Sequence, residues 1–130
     1  MFKITPIQTS TDASNYFLAC GTEVKTGCFA YAMTDCESGE IMGISQFEIL
    51  DGYGYIYDIK EAQGKNDFEA MFILSRQTMN FINQCGINIC RADLNAGDKA
   101  LIKAVGFKET DDFFECSMNG MFDGSHCAGH

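Results

Sequence analysis

The hexapeptide Gln63-Gly64-Lys65-Asn66-Asp67-Phe68 decides the fold, because the hydrophobic period of the chain changes across it. Before it, residues 53–60 alternate with a period of two, which predicts a β-strand. After it, apolar residues recur every three to four positions as far as Ile82, which predicts an amphipathic helix of about five turns that ends at Gly86. The first amides of a helix have no partner within it, so a strand-to-helix turn of this kind is a place where an α/β protein can hold a phosphate.

The elements on either side of this turn complete a mixed sheet. The Asp51-Gly52 pair is a strong hairpin signal, and it makes the strand at 53–60 the last of an antiparallel meander. A strand, a helix and a second strand in succession predict parallel pairing of residues 53–60 with residues 87–94. The expected fold is therefore α/β (α+β), with one parallel crossover and two to three helices. The other predicted elements are strands at 2–8, 28–34, 40–50 and 113–118, a short helix that starts at 11–15 and ends by Gly21, and a short helix at 97–105.

Composition limits the classes of function. The chain has 130 residues, which are most simply one domain, here residues 1–122, followed by a flexible Gly-rich tail at 123–130. Eighteen acidic and nine basic residues give a net charge of −9, which disfavours nucleic-acid binding. No stretch is long and apolar enough to span a membrane, and the amino-terminal residues do not read as a signal peptide. Seven cysteines without a C-x-x-C pair favour a cytoplasmic protein with reduced thiols.

Two motifs, together with the order of the elements, resemble the GNAT superfamily of acyl-CoA-dependent N-acyltransferases. The hairpin between Cys28 and Phe47 is similar to the second and third strands of that family. Asn95, followed by Leu101 and Gly106-Phe107, is similar to its N-x-x-A-x-x-L-Y-x-x-x-G-F motif. The resemblance covers roughly residues 2–120 and implies a mixed sheet of the GNAT type.

The resemblance also implies a site for acetyl-CoA as co-substrate. The family binds the pyrophosphate of CoA on a Q/R-x-x-G-x-G/A turn that opens the long helix, and the aligned residues here are Gln63, Gly64, Lys65, Asn66, Asp67 and Phe68. Gln63 matches, whereas Asn66 and Phe68 stand where the family has small residues. Asn66 is also expected to cap the helix, with Glu69 three residues on as the second half of a capping box. By analogy, Asn95 contacts the CoA arm.

The same resemblance implies acyl transfer to an amine, which requires a base and a polarised thioester carbonyl. In this family a backbone amide of the fourth strand polarises the carbonyl, which here points to Ile59. Glu48 and Asp58 on the central strands are the candidate bases, with Glu115 on the last strand as a further candidate. Ile102 replaces the tyrosine that protonates the CoA thiolate in many members, and Asp98 replaces the alanine of the motif.

Three questions stay open at the level of sequence. The acceptor is a small-molecule or peptide amine, and because only residues 9–27 separate the first two strands, its site is open, completed by a partner subunit of a homodimer, or absent. A catalytically inactive GNAT-fold module that binds a protein or a small ligand is the alternative to an enzyme. The tail segment His126-Cys127-Ala128-Gly129-His130 contains metal-ligand residue types but matches no standard zinc spacing, and we predict no metal site.

Overall fold

A seven-stranded mixed sheet with three helices forms the architecture of the computed structural model, which describes residues 1–7 and 10–122, with side chains at 1–7 and 14–122. The strand order in the sheet is β1-β2-β3-β4-β5-β7-β6. The elements along the chain are β1 (Phe2–Pro6), α1 (Ser10–Ala19), β2 (Phe29–Asp35), β3 (Ile41–Ile49), β4 (Gly54–Glu61), α2 (Phe68–Gln84), β5 (Ile89–Ala92), α3 (Lys99–Ala104), β6 (Lys108–Glu109) and β7 (Phe114–Ser117).

The pairing confirms the predicted topology. Strands β1 to β4 form an antiparallel meander, and β4 pairs in parallel with β5 across the α2 crossover. That parallel ladder is short, joining only residues 54–56 to residues 90–92. Beyond Ile56 the two strands are no longer paired, and the cavities described below lie along this stretch. Strand β6 was not predicted, because two exposed polar residues carry no periodic signal.

The helices cover the two faces of the sheet unequally. The main hydrophobic cluster joins α2 and α3 to one face, through residues such as Leu74, Ile82 and Ile102. A smaller cluster on the opposite face joins Phe17 of α1 to Ala32 and Ile44. Because α1 is short, this second cluster covers only part of its face, and polar side chains of β3 and β4 line a cavity there.

A β-bulge in β4 corrects the strict alternation expected for residues 53–60. Gln46 pairs with Asp58 and Phe47 pairs with Ile56, so Tyr57 is an extra residue on β4. A bulge of this kind re-aims the side chains around it. As a result, Tyr57 and Asp58 both contact side chains of β3, whereas Ile59 returns to the main hydrophobic cluster with Ile56.

Candidate active site

The turn between β4 and α2 is held to the rest of the molecule by its own backbone. The Gln63 amide donates to the Ala19 carbonyl over 2.9 Å, and the Lys65 amide donates to the Ala62 carbonyl over 3.1 Å. Gly64 has a φ of 84°, a conformation that favours glycine. The Lys65 ammonium forms an ion pair with Glu40. The predicted residues Gln63, Gly64 and Lys65 therefore form an anchored turn, with the lysine charge paired internally.

The N-cap of α2 is Asp67, so the expectation that Asn66 caps the helix with Glu69 is wrong. Asp67 has extended backbone angles, and its Oδ1 accepts from the Ala70 amide over 3.0 Å. Asn and Asp cap helices about equally well, so local sequence did not decide between adjacent positions. A contact across the turn distinguishes the two positions: the Asp67 amide donates to Glu61 Oε2 over 2.5 Å.

Two internal carboxylates thus satisfy amides that a phosphate would need. The Glu61 carboxylate accepts a hydrogen bond from the Asp67 amide, and the Asp67 carboxylate accepts one from the Ala70 amide. Among residues 1–7 and 10–122, the amides of Asn66, Phe68 and Glu69 have no hydrogen-bond partner. An anion at this helix end would find three available donors and one donor held by Glu61.

A cavity of about 240 Å³ lies at the start of α2, and we call it the donor cavity after the role that we propose for it below. The predicted residues Ile59, Asn66 and Phe68 line it, so the structure brings these three together. Phe68 is half exposed, at 50% of its surface. The other lining residues are Lys60, Glu61, Met71, Gly97, Asp98 and Leu101.

The Ile59 amide, predicted to polarise a thioester carbonyl, is engaged in the structure. It donates to the Ala96 carbonyl over 2.8 Å. Lys60 Nζ donates to the Asn95 carbonyl over 2.6 Å, and Asn95, predicted to contact the CoA arm, lines a second cavity described below and not the donor cavity. Gly97 packs so closely that a Cβ there would lie 2.2 Å from the Ile59 carbonyl oxygen. Residues 93–97, which we call the β5–α3 loop, therefore lie directly against the part of β4 that follows its short ladder with β5.

A second, larger and more open cavity of about 610 Å³ lies beside the same end of β4, and we call it the acceptor cavity after the role that we propose for it below. The two predicted catalytic residues, Glu48 and Asp58, both line it. Asp58 is 6% exposed, and its Oδ2 accepts from Gln46 Nε2 over 2.8 Å. The remaining lining residues are Gly21, Thr22, Lys25, Thr26, Cys28, Tyr57, Lys60, Asp93 and Asn95.

The carboxylate of Glu48 organises its surroundings in the acceptor cavity. Its Oε1 accepts from the Tyr57 hydroxyl over 2.8 Å, and this hydrogen bond, with burial, raises the pKa of Tyr57 to about 12. Burial and then the charge of Glu48 raise the pKa of the Cys28 thiol. Since the thiolate is the nucleophilic form, Cys28 is a poor nucleophile here. The chemistry available in this cavity is that of carboxylates.

Glu115, the further candidate base, is not brought to either cavity. Its Oε2 accepts from Arg91 Nε over 2.9 Å, and the guanidinium of Arg91 stacks between Tyr53 and Phe113 with ring centroids 4.4 and 4.5 Å away. The role of Glu115 in the described structure is this ion pair.

Sequence reasoning missed four residues that shape the site: Glu61, Lys60, Gly97 and Gln46. Lys60, Gly97 and Gln46 act through partners 12 or more residues away, so no local pattern marks them. Glu61 lies two positions before Gln63 in the sequence, but only the geometry of the turn brings its carboxylate to the start of α2.

The predicted tail, residues 123–130, lies outside the described residues, and so do its metal-ligand residue types. Within the described ranges, no group of three or more His, Cys, Asp or Glu side chains is arranged to hold a metal ion. Among the helices that the structure describes, none has the length and apolar character of a membrane span.

No family model and no curated protein matches this sequence. Solved structures do match. The ribosomal-protein-S18-alanine N-acetyltransferase of Escherichia coli has a TM-score of 0.74 at 10% identity, with 91% of this chain and 94% of that chain covered. YhhK from E. coli, solved bound to coenzyme A, has a TM-score of 0.68 at 12% identity, covering 90% and 98%. A GNAT-family protein from Desulfovibrio desulfuricans has a TM-score of 0.69 at 9% identity, covering 91% and 99%. The chain has the GNAT fold.

Proposed function

We propose that this protein is an acyl-CoA-dependent N-acyltransferase that moves an acyl group, with acetyl as the first to test, to an amine. One observation carries the proposal: the donor cavity at the start of α2 and the acceptor cavity with its carboxylates lie on either side of the end of β4, and Lys60 lines both. A transferase that joins two substrates needs two such sites in contact. The likeness to YhhK, which was solved with coenzyme A, supports the choice of donor.

In this proposal the donor cavity takes the thioester arm and the start of α2 takes the phosphates. The amides of Phe68 and Glu69 suit an anion, because they lie at the positive end of a 17-residue helix. The Asp67 amide does not suit it, because Glu61 already accepts from that amide. The fit of the donor is therefore partial.

The acceptor cavity supplies the groups that an amine needs. Glu48 and Asp58 attract an ammonium ion, and one of them takes a proton from it to leave a neutral amine that can attack the thioester carbonyl. As the C–N bond forms and the C–S bond breaks, a second proton leaves the nitrogen and ends on the departing thiolate, which is released as free coenzyme A. Asp58 is held in place by Gln46, and Glu48 by Tyr57, so both carboxylates are pre-oriented. The acceptor is a small-molecule or peptide amine, and completion of this open cavity by a second copy of the chain stays a prediction.

We place the protein in the cytoplasm. All six cysteines of the described residues are free thiols, and three of them, Cys20, Cys90 and Cys116, are buried. Unpaired cysteines in this number are typical of a reducing compartment.

A direct test combines binding and transfer. Isothermal titration with acetyl-CoA measures the donor site, and mass spectrometry of a panel of primary amines incubated with acetyl-CoA measures transfer without interference from the thiols of the protein. Asp58→Asn and Glu48→Gln should each leave the affinity for acetyl-CoA unchanged. The variant that removes the general base should have a kcat about 10²-fold to 10⁴-fold lower than that of the wild type. Glu37→Gln, at an exposed turn between β2 and β3, is the matched control and should have no effect on either measurement.

The alternative function, a catalytically inactive GNAT-fold binding module, is favoured by one specific observation: the Ile59 amide is already bonded to Ala96. The module predicts that no amine is acetylated at any concentration of acetyl-CoA. Absence of donor binding at millimolar concentration would exclude the enzyme, whereas transfer to any amine that is lost in Asp58→Asn or Glu48→Gln would exclude the module.

A further inference from the structure

Glu61 stands at the point where the donor cavity meets the start of α2. It is the last residue of β4, it lines the donor cavity, and its Oε2 accepts from the amide of the N-cap residue Asp67 over 2.5 Å. A carboxylate oxygen on a backbone amide at a helix N-terminus is chemically equivalent to a phosphate oxygen in the same place, since both are anionic acceptors. The chain therefore supplies its own anion to this amide.

The surrounding charges reinforce this effect. Asp67 and Glu69 add two further carboxylates to the first turn of α2. The two lysines of this segment have internal partners, since Lys65 pairs with Glu40 and Lys60 donates to the Asn95 carbonyl. A pyrophosphate that approaches this helix end meets repulsion from like charges that these internally paired lysines offset only in part.

We infer that Glu61 is a specificity-determining residue of the donor site. Because of Glu61, the protein recognises the pantetheine thioester of its donor and gains little affinity from the pyrophosphate and the nucleotide. The inference rests on the proposed function, because it assumes a thioester donor in the donor cavity. Glu61 competes with the donor phosphate for the Asp67 amide, so acyl-CoA and an acyl-pantetheine without the nucleotide should bind with similar affinity.

The test compares coenzyme A with pantetheine, which share the thiol arm and differ in the nucleotide and its phosphates. Isothermal titration gives both dissociation constants for the wild type, for Glu61→Gln, which removes the charge and keeps an acceptor, and for Glu61→Ala, which frees the amide. Glu69→Gln is the matched control, because it removes one negative charge from the first turn of α2 and leaves the contact between Glu61 and the Asp67 amide in place. Thermal melts of each variant confirm that it is folded.

The wild type should bind the two ligands within about threefold of each other. Glu61→Ala should tighten coenzyme A about tenfold, equivalent to about 1.4 kcal/mol, and leave pantetheine unchanged. Glu61→Gln should give a smaller gain of about threefold, and Glu69→Gln should change the ratio less than Glu61→Gln does.

The outcomes separate this inference from the proposed function. If both ligands bind and the ratio of their dissociation constants does not move in folded Glu61→Ala, or moves equally in Glu69→Gln, the role of Glu61 is refuted while the donor site stands. If neither ligand binds any of the four proteins, the proposed function fails and the inference falls with it.

Discussion

Replacement of Gly97 by alanine tests the contact between the β5–α3 loop and β4. The added Cβ would lie 2.2 Å from the carbonyl oxygen of Ile59 and 3.4 Å from its carbonyl carbon. An ordinary carbon–oxygen contact is more than 3 Å, so the loop or the strand has to move by roughly 1 Å. The obstacle is main chain of a central strand, and no side chain can rotate away to relieve it.

The expected loss of stability is at the upper end of the range for overpacking, about 3 kcal/mol. For a domain of this size that corresponds to a decrease in Tm of roughly 10 °C. The movement should also weaken the 2.8 Å hydrogen bond from the Ile59 amide to the Ala96 carbonyl, and the Ile59 amide should then exchange with deuterium faster.

The chain has no tryptophan, so urea unfolding is followed by circular dichroism, and exchange of the Ile59 amide by NMR. Gly54→Ala is the comparison, because its Cβ would lie 2.5 Å from Cγ2 of Ile82, a buried side chain on the α2 side of the sheet, and would meet no atom of Ile59. Gly54→Ala should also destabilise the protein, but it should leave exchange at Ile59 unchanged. A cost below about 0.5 kcal/mol for Gly97→Ala, with unchanged protection at Ile59, would refute the proposed closeness of loop and strand.

Two further predictions concern pairs of side chains. Thr78 Oγ1 donates to the Leu74 carbonyl, so Ser45 is the donor in the buried 2.7 Å hydrogen bond between the hydroxyls of Ser45 and Thr78. Urea unfolding should show that Ser45→Ala lowers the free energy of unfolding by about 1 kcal/mol, and that Thr78→Val, which leaves the Ser45 hydroxyl without its acceptor, lowers it by about 1–3 kcal/mol. The double variant should lose less than the sum of the two, and additive losses would exclude the bond. The pKa of Tyr57 is raised from 10.0 to about 12, so the folded state keeps the phenol protonated to a higher pH than the unfolded state does. The free energy of unfolding should therefore fall as the pH rises from about 10 through 12. Absorbance at 295 nm should show one tyrosine that ionises at this higher pH, and this tyrosine should be absent in Tyr57→Phe and should ionise closer to pH 10 in Glu48→Gln.

Periodicity predicted most of the sheet and the long helix, because burial imposes a regular pattern on those residues. The same reasoning failed where a contact between distant residues overrides the local pattern. Through residues 53–60 the alternation in sequence is unbroken, yet the extra residue Tyr57 in β4 places Asp58 beside Gln46. Without that bulge, Tyr57 and Asp58 would point to opposite faces, and the carboxylates of the acceptor cavity would not converge.

In the candidate site, too, the sequence predicted the position of the turn but not the contacts that its residues make. The turn from residue 63 to residue 68 was placed correctly at the start of α2, since the change of period marks it. Its cap was misplaced by one residue, because the choice between Asn66 and Asp67 depends on Glu61. The engagement of Ile59 was invisible in sequence, because it depends on where the β5–α3 loop lies after a 17-residue crossover helix.

The two internal contacts of the donor site differ in how a ligand would displace them. Glu61 leaves the Asp67 amide by a change of side-chain rotamer, which is a small movement on a fast timescale. Ala96 leaves the Ile59 amide only if the β5–α3 loop moves, and the close approach of Gly97 makes that movement a shift of main chain. In the proposed transferase, binding of a donor and its activation are therefore separate events. A Glu61→Ala variant that binds coenzyme A more tightly but transfers acetyl groups no faster would assign the remaining barrier to acyl transfer to the loop. A Gly97→Ala variant with a raised kcat and an unchanged affinity for coenzyme A would assign that barrier to the Ile59 amide itself.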